Sequence, residues 1–149
     1  MATALKQLEV DVIARRSRRR EAFKTVQGLR AKSADVIGGT IIRWLSSAYG
    51  WRVETPSGRA SYWILRRKAQ RLLLHSLDGG RRATWRDLED LAKTAQSFPA
   101  DLVAIVAPSG VPDDDDLLGL EIEDILRWGP RELERIFIEI KHEGAGTGF

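Results

Sequence analysis

Residues 84–107, TWRDLEDLAKTAQSFPADLVAIVA, decide the fold that the sequence predicts. Thr84 and Asp87 have the spacing of a capping box, in which each side chain accepts a hydrogen bond from the other residue's backbone N–H. Apolar residues then recur at helical spacing until Pro99, and the run from Leu102 to Ala107 is apolar throughout. A continuous apolar run after a helix is typical of a buried parallel strand. This stretch therefore predicts a helix followed by an inner strand of a sheet.

The preceding residues predict three further strands, at 51–54, 61–66 and 71–77, separated by turn signals. Helical spacing predicts helices before and after these strands, and the helix between the third and fourth strands implies a parallel crossover. Residues 117–128 support no single assignment. We predict an α/β fold with a mixed central sheet of about four or five strands flanked by helices.

The chain divides into three predicted parts. Residues 1–33 form a basic helical arm, residues 34–142 form the α/β domain, and residues 143–149 form a flexible tail. Leu5, Leu8 and Val12 share one helical face of the arm, and Phe23, Val26 and Leu29 repeat the spacing. The arginines between these two groups point all round the helix, so they cannot enter a core.

The composition excludes several classes of protein. The chain has 149 residues with no cysteine and two histidines, which excludes disulfide frameworks and thiolate metal sites. No apolar run approaches the ~20 residues that span a bilayer, so we expect no membrane contact. The amino terminus lacks a secretory apolar region, which predicts a cytoplasmic protein.

Charge is distributed unevenly along the chain. Residues 1–33 carry nine Lys/Arg against three Asp/Glu (+6), residues 34–100 carry eleven against six (+5), and residues 101–149 carry four against twelve (−8). A basic face of this kind is typical of proteins that bind a polyanion. We therefore predict a nucleic-acid partner, with double-stranded DNA as the first choice. The predicted contacts are Arg15, Arg16, Arg18, Arg19, Arg20, Lys24, Arg66, Arg67, Lys68, Arg71, Arg81 and Arg82.

Five segments in order resemble the restriction-endonuclease-like fold, above all the Mrr-type endonucleases and the archaeal Holliday-junction resolvases. They are LSSAYGWRVE, SYWILRR, RLLLHSL, TWRDLEDLAKTAQSF and ADLVAIVAPSG, within residues 35–110. The resemblance implies an aspartate on one strand and a Glu-x-Lys pattern on the next, which together hold Mg²⁺ and orient water. Here these positions fall at Ser61 or Tyr62 and at His75-Ser76-Leu77. The family's glutamate on the first core helix is replaced by Gly39 or Thr40.

A literal Glu-x-Lys pattern occurs elsewhere, at Glu139 and Lys141, and Asp113 follows a proline upstream of it. As a strand, residues 136–141 would place Glu139 and Lys141 on one face. As a helix, the same residues would point the two side chains about 200° apart. We favour the helix, because Leu133, Ile136, Phe137 and Ile140 also have helical spacing.

Three functional hypotheses follow from these patterns. The leading one is a DNA-binding module of nuclease-like fold without metal or other cofactor, acting in a larger assembly for defence, a mobile element or DNA repair. The second is an active Mg²⁺-dependent endonuclease that uses Asp113, Glu139 and Lys141, or residues supplied by a partner. The third is an assembly subunit in which the arm of one copy pairs with the acidic segment around residues 113–116 of another.

Overall fold

The computed structural model describes residues 2–56, 61–98, 100–112 and 124–146. The described residues form four helices and five strands. In chain order these are α1 (Ala2–Leu29), α2 (Ala34–Tyr49), β1 (Arg52–Pro56), β2 (Tyr62–Arg67), β3 (Gln70–Ser76), α3 (Trp85–Ser97), β4 (Leu102–Val106), β5 (Ile125–Trp128) and α4 (Pro130–Gly146).

The five strands form one mixed sheet whose spatial order, β1-β2-β3-β4-β5, is also the chain order. The pairs β1–β2 and β2–β3 are antiparallel, whereas β3–β4 and β4–β5 are parallel. The predicted α/β class and mixed sheet are confirmed, and so is the parallel crossover through α3. The fifth strand, β5, lies in the stretch for which the sequence supported no single assignment.

The sheet has two ends with different surroundings. We call the first the turn end, because the β2–β3 turn lies there beside the start of β1 and the last turn of α2. The second is the loop end, where β3, β4 and β5 finish and residues 77–84 and 107–112 follow. Helix α3 begins at the loop end and returns toward the turn end, where the Asp101 carboxylate accepts the Arg71 N–H at 2.9 Å.

Both faces of the sheet are covered by apolar packing. Leu72 and Leu74 belong to one cluster with residues of α1, α2 and α4, whereas Leu73 faces the opposite cluster with α3. All three leucines are at most 2% exposed, which confirms the prediction of a strand buried on both faces. Leu88 and Leu91 of α3 are fully buried beside Ile105, as the helical spacing predicts.

Helix α2 is capped at both ends. Ser33 is the N-cap, and its side chain accepts the Val36 N–H; Gly50 is the C-cap and lies in the left-handed region at φ 76°. Both caps follow the preferences of these residue types. Gly38 costs helix stability by propensity, but a Cβ at this position would overlap the indole ring of Trp63. The glycine therefore lets α2 approach β2 closely.

Helix α1 is a single helix that ends beside the loop end, where the Lys32 carbonyl accepts the Gly79 N–H at 2.9 Å. Helix α4 begins at that same end and packs along α1, so the two helices run antiparallel. Ala22, Val26 and Leu29 of α1 are buried, whereas Phe23 is 54% exposed. Phe23 therefore does not share the buried face of Val26 and Leu29, because the i, i+4, i+7 set beginning at Ala22 faces the protein.

Helix α4 extends into the segment predicted as the tail. Its backbone is helical through Gly146, so the helix includes the first four residues of the segment 143–149. Residues 147–149 lie outside the described residues. Among the helices that the structure describes, none is long and apolar enough to cross a membrane.

Candidate nucleic-acid interface

Strands β2 and β3 bring together the two positions at which the resemblance expects catalytic carboxylates. Tyr62 lies directly opposite His75, and their rings stack with centroids 4.0 Å apart. The carbonyl of Ser61 accepts the Ser76 N–H at 2.9 Å and lies 3.0 Å from His75 Nδ1. Ser61 and Tyr62 therefore lie side by side with His75 and Ser76 on adjacent strands.

These residues do not fit Mg²⁺, which prefers carboxylate and other oxygen ligands. An aromatic stack and a serine hydroxyl stand where two acidic side chains would be needed. The nearby Asp87 carboxylate already accepts hydrogen bonds from Arg81 and from the Thr84 N–H. Across the described ranges, no group of three or more His, Asp or Glu side chains is placed to hold a metal ion.

His75 lies half-buried in this position. Burial lowers its pKa below the ordinary value of 6.5, although the hydrogen bond with the Ser61 carbonyl opposes that change. The imidazole is therefore neutral at pH 7 and its Nδ1–H donates to the carbonyl. Ser76 is 1% exposed, and its hydroxyl has no hydrogen-bond partner among the described residues.

The literal Glu-x-Lys pattern lies on a helix, because α4 spans Pro130–Gly146. The preferred helical interpretation is confirmed, and the strand that would align Glu139 with Lys141 is wrong. The Glu139 carboxylate accepts the Tyr49 O–H at 2.5 Å, which ties α4 to the end of α2. Asp113 and the side chain of Lys141 lie outside the described residues.

Three arginines lie side by side at the turn end of the sheet. Arg66 of β2 is directly opposite Arg52 of β1 on one side and Arg71 of β3 on the other. Directly opposed residues of antiparallel strands project from the same face, so the three guanidinium groups form a row. Like charges so placed repel one another, and the row needs a counter-charge.

Glu54 supplies that counter-charge. Its carboxylate accepts two hydrogen bonds from Arg71, at 3.0 Å from Nε and 2.9 Å from Nη2, and lies 3.9 Å from Arg66 Nη1. A register irregularity between Val53 and Thr55 gives β1 an extra residue at Glu54. The Arg71 and Arg66 side chains keep 42% and 54% of their surface exposed, against 25% for Glu54.

A groove of about 870 Å³ opens beside two members of this row, Arg52 and Arg66, and beside Glu54. Its walls carry four cationic side chains, and Glu54 is the one acidic residue among the described lining. The lining residues are Tyr49, Gly50, Arg52, Val53, Glu54, Arg66, Arg67, Lys68 and Gln70. Arg67 is held 4.6 Å over the ring of Trp51, and the Lys68 carbonyl accepts Arg66 Nε at 3.0 Å. Among the described residues, Arg52 and Lys68 form no ion pair.

The arginines of the arm lie at the same end of the molecule as the groove. Arg16 is about 20 Å along the α1 axis from Leu29, at 1.5 Å per residue, and this distance matches the length of β3. Arg15, Arg16, Arg19, Arg20 and Lys24 are exposed and Arg18 is half-buried. Because α1 ends at the loop end, its arginines are level with the turn end.

Arg81 and Arg82 lie elsewhere, in the segment that follows β3 at the loop end. Arg81 forms an ion pair with Asp87, which is 7% exposed. The side chain of Arg82 lies against Gly110 of the next loop. The structure thus separates the predicted contacts into two groups at opposite ends of the sheet.

Sequence reasoning missed Glu54 and the aromatic support that Trp51 gives Arg67. The register of Arg66 against Arg71 follows from the predicted turn at 67–70, and that signal was available. The extra residue in β1 had no such signal, because no glycine marks it. The pairing of Glu54 with Arg71 depends on that local geometry.

No protein-family model matches the chain, and neither the curated proteins nor the solved structures contain a match.

Proposed function

We propose that this chain is a DNA-binding module of nuclease-like fold that acts in a larger cytoplasmic assembly and does not itself cleave DNA with a metal ion. The observation that carries the proposal is the basic groove at the turn end. Its four cationic side chains exceed the single carboxylate of Glu54, so the groove has a net positive charge. Guanidinium groups match the geometry of phosphate oxygens, which they bind in pairs.

The position of the arm supports the same partner. The exposed arginines of α1 add positive charge toward the same end of the sheet, on the face opposite to the arginine row. A duplex presents one phosphate per 1.7 Å of its axis, and widely spaced cations can therefore engage it at once. Contacts of this kind fix position without reading sequence.

The nuclease-like part of the proposal rests on element order and on the site between β2 and β3. Helix α2, three strands, α3 and β4 occur in the order of the families that the chain resembles. The positions of their carboxylates meet here as Tyr62 and His75. A module that keeps this scaffold and lacks the acidic ligands would hold DNA without cutting it.

Binding is tested by fluorescence anisotropy with a labelled 20-base-pair duplex, titrated between 50 and 300 mM salt. We expect sequence-independent binding that weakens steeply with salt. Replacement of Arg52, Arg66 and Lys68 with alanine should reduce the slope of log K against log salt by two to three, at about 0.9 per contact. The matched control replaces Arg86 and Arg131, exposed arginines at the loop end, and should change the slope little. Equal losses in the two variants would contradict the proposed interface.

Cleavage is tested separately with plasmid, linear and branched DNA in Mg²⁺ or Mn²⁺. We expect intact substrate after hours at micromolar protein. Cleavage that disappears in Glu139→Ala or Lys141→Ala would instead support the endonuclease hypothesis.

A further inference from the structure

We propose that the Glu54 carboxylate occupies the phosphate position of the groove, and that it restricts this position to phosphates belonging to a polyanion. The inference rests on the proposed function, and it names Glu54 as the residue that sets the groove's selectivity. The ligand class is a phosphodiester that is held at several points at once.

The geometry of Glu54 carries the first step. Its two oxygens accept Nε and Nη2 of Arg71 at 3.0 and 2.9 Å, the side-by-side arrangement by which a guanidinium binds either a carboxylate or a phosphate. Nη1 of Arg66 lies 3.9 Å from Oε1, one of these two oxygens. A phosphate bound between Arg66 and Arg71 would make the contacts that Glu54 now makes.

The exposure of the three side chains carries the second step. The position is open to solvent, since Arg66 and Arg71 are 54% and 42% exposed. An ion pair at such a surface contributes little to the stability of the fold. The carboxylate can therefore be displaced without unfolding the sheet, and Arg52 is a directly opposed neighbour that no described acidic side chain neutralises.

Tethering decides which anions can displace it. Glu54 belongs to the same chain as its arginines, so its effective concentration at the position reaches the millimolar range or above. A free phosphate ion at low millimolar concentration competes poorly against such a group. A phosphate of a duplex that is already held by the arm and by Lys68 also has a high effective concentration at the position, so it can compete with Glu54. The groove therefore selects polyanions over single anions.

The experiment uses the full chain and inorganic phosphate as the first probe. The thermal midpoint of the wild type should not change between 0 and about 3 mM phosphate at constant ionic strength. Glu54→Gln keeps the shape of the side chain and removes its charge, so its midpoint should rise with phosphate. The double variant E54Q/R71Q should lose that response, because Arg71 forms one side of the position. Glu89→Gln, which removes the same charge from an exposed site on α3, should behave as the wild type does.

The second probe is the 20-base-pair duplex. Glu54→Gln should bind it about two- to fivefold more tightly, with a salt slope steeper by about 0.9, because one further phosphate contact forms. A phosphate response in the wild type, none in Glu54→Gln, or a response that survives in E54Q/R71Q would overturn the inference. If the phosphate results hold and the duplex does not bind, the proposed function is wrong and the anion position remains. If the duplex binds and Glu54→Gln behaves as the wild type in both assays, the inference about Glu54 is wrong and the proposed function remains.

Discussion

The two ends of the sheet use arginine in different ways. At the loop end, Arg81 pairs with a buried aspartate, Arg30 donates to the Pro108 carbonyl at 3.2 Å, and Arg127 donates to the Pro112 carbonyl at 3.1 Å. At the turn end, Arg52, Arg66 and Arg71 lie side by side on three strands, and Arg66 and Arg71 share the carboxylate of Glu54. The arginines of the loop end are thus paired within the fold, whereas those of the turn end outnumber their one described carboxylate.

The largest expected effect concerns the arm. Replacement of Arg15, Arg16, Arg18, Arg19 and Arg20 with alanine should flatten the salt slope of duplex binding by several units, up to about 4.5 for five contacts. The thermal midpoint should hardly change, since four of the five side chains are exposed. Anisotropy titrations and thermal melts measure the two quantities. If the variant instead dissociates an oligomer on sizing chromatography and binds DNA normally, the arm is an assembly surface.

The next effect tests the loop end. Asp87→Ala removes the reciprocal capping contact of α3 and the partner of Arg81, so it should cost about 2–4 kcal/mol of unfolding free energy. Chemical denaturation measures this loss. Glu89→Ala, an exposed acidic position on the same helix, is the control and should stay within about 0.5 kcal/mol of the wild type. A small loss for Asp87→Ala would mean that Arg81 and its carboxylate are not part of the folded framework.

A smaller effect is expected at the turn end. Glu54→Gln should cost at most about 1 kcal/mol, because the ion pairs that it weakens lie at the surface. The loss should shrink further at high salt, which screens exposed charges. A loss as large as that of Asp87→Ala, measured in the same denaturation assay, would remove the difference between the two ends.

The smallest effect is a pH dependence from His75. Its folded-state pKa lies below the ordinary 6.5 because of burial, so the unfolded chain binds more protons when the pH falls below about 6.5. Stability should therefore decrease as pH is lowered from 7.5 to 5.5. Thermal melts of His75→Gln should show a weaker decrease than the wild type. A decrease of the same size in His75→Gln and in the wild type would contradict the role of His75.

Local sequence signals predicted the elements that form the centre of the fold. The capping box at Thr84 and the apolar run after Pro99 gave α3 and β4, and the turn at 67–70 gave the β2–β3 hairpin. These signals depend on residues close together in sequence, so one chain is enough to read them. Strand β5 was missed because it has four residues, and Arg127 and Trp128 are half of them.

The candidate site was less predictable, because a count of charged residues does not show which side chains form ion pairs with one another. Arg71 and Arg81 count equally in the net charge of the sequence. In the structure, Arg71 pairs with a partly exposed carboxylate and Arg81 with a buried one. Phe23 illustrates the same limit, since its spacing from Val26 and Leu29 suits a buried face that Ala22 occupies instead. The ion-pair partner of an arginine and the buried face of a helix both depend on segments that are distant in sequence.

The strands lie in the sheet in the same order as in the chain, and this order affects how the sheet can form during synthesis. Each strand from β2 onward pairs with the strand made just before it, so the sheet can grow in step with the emerging chain. Helix α1 is different, because it is made before the strands and packs mainly along α4, which is made after them. Contacts between distant segments form late, since closing a long loop costs entropy. The helix that carries the arginines is therefore synthesised before the sheet but gains its permanent place only after the sheet has formed.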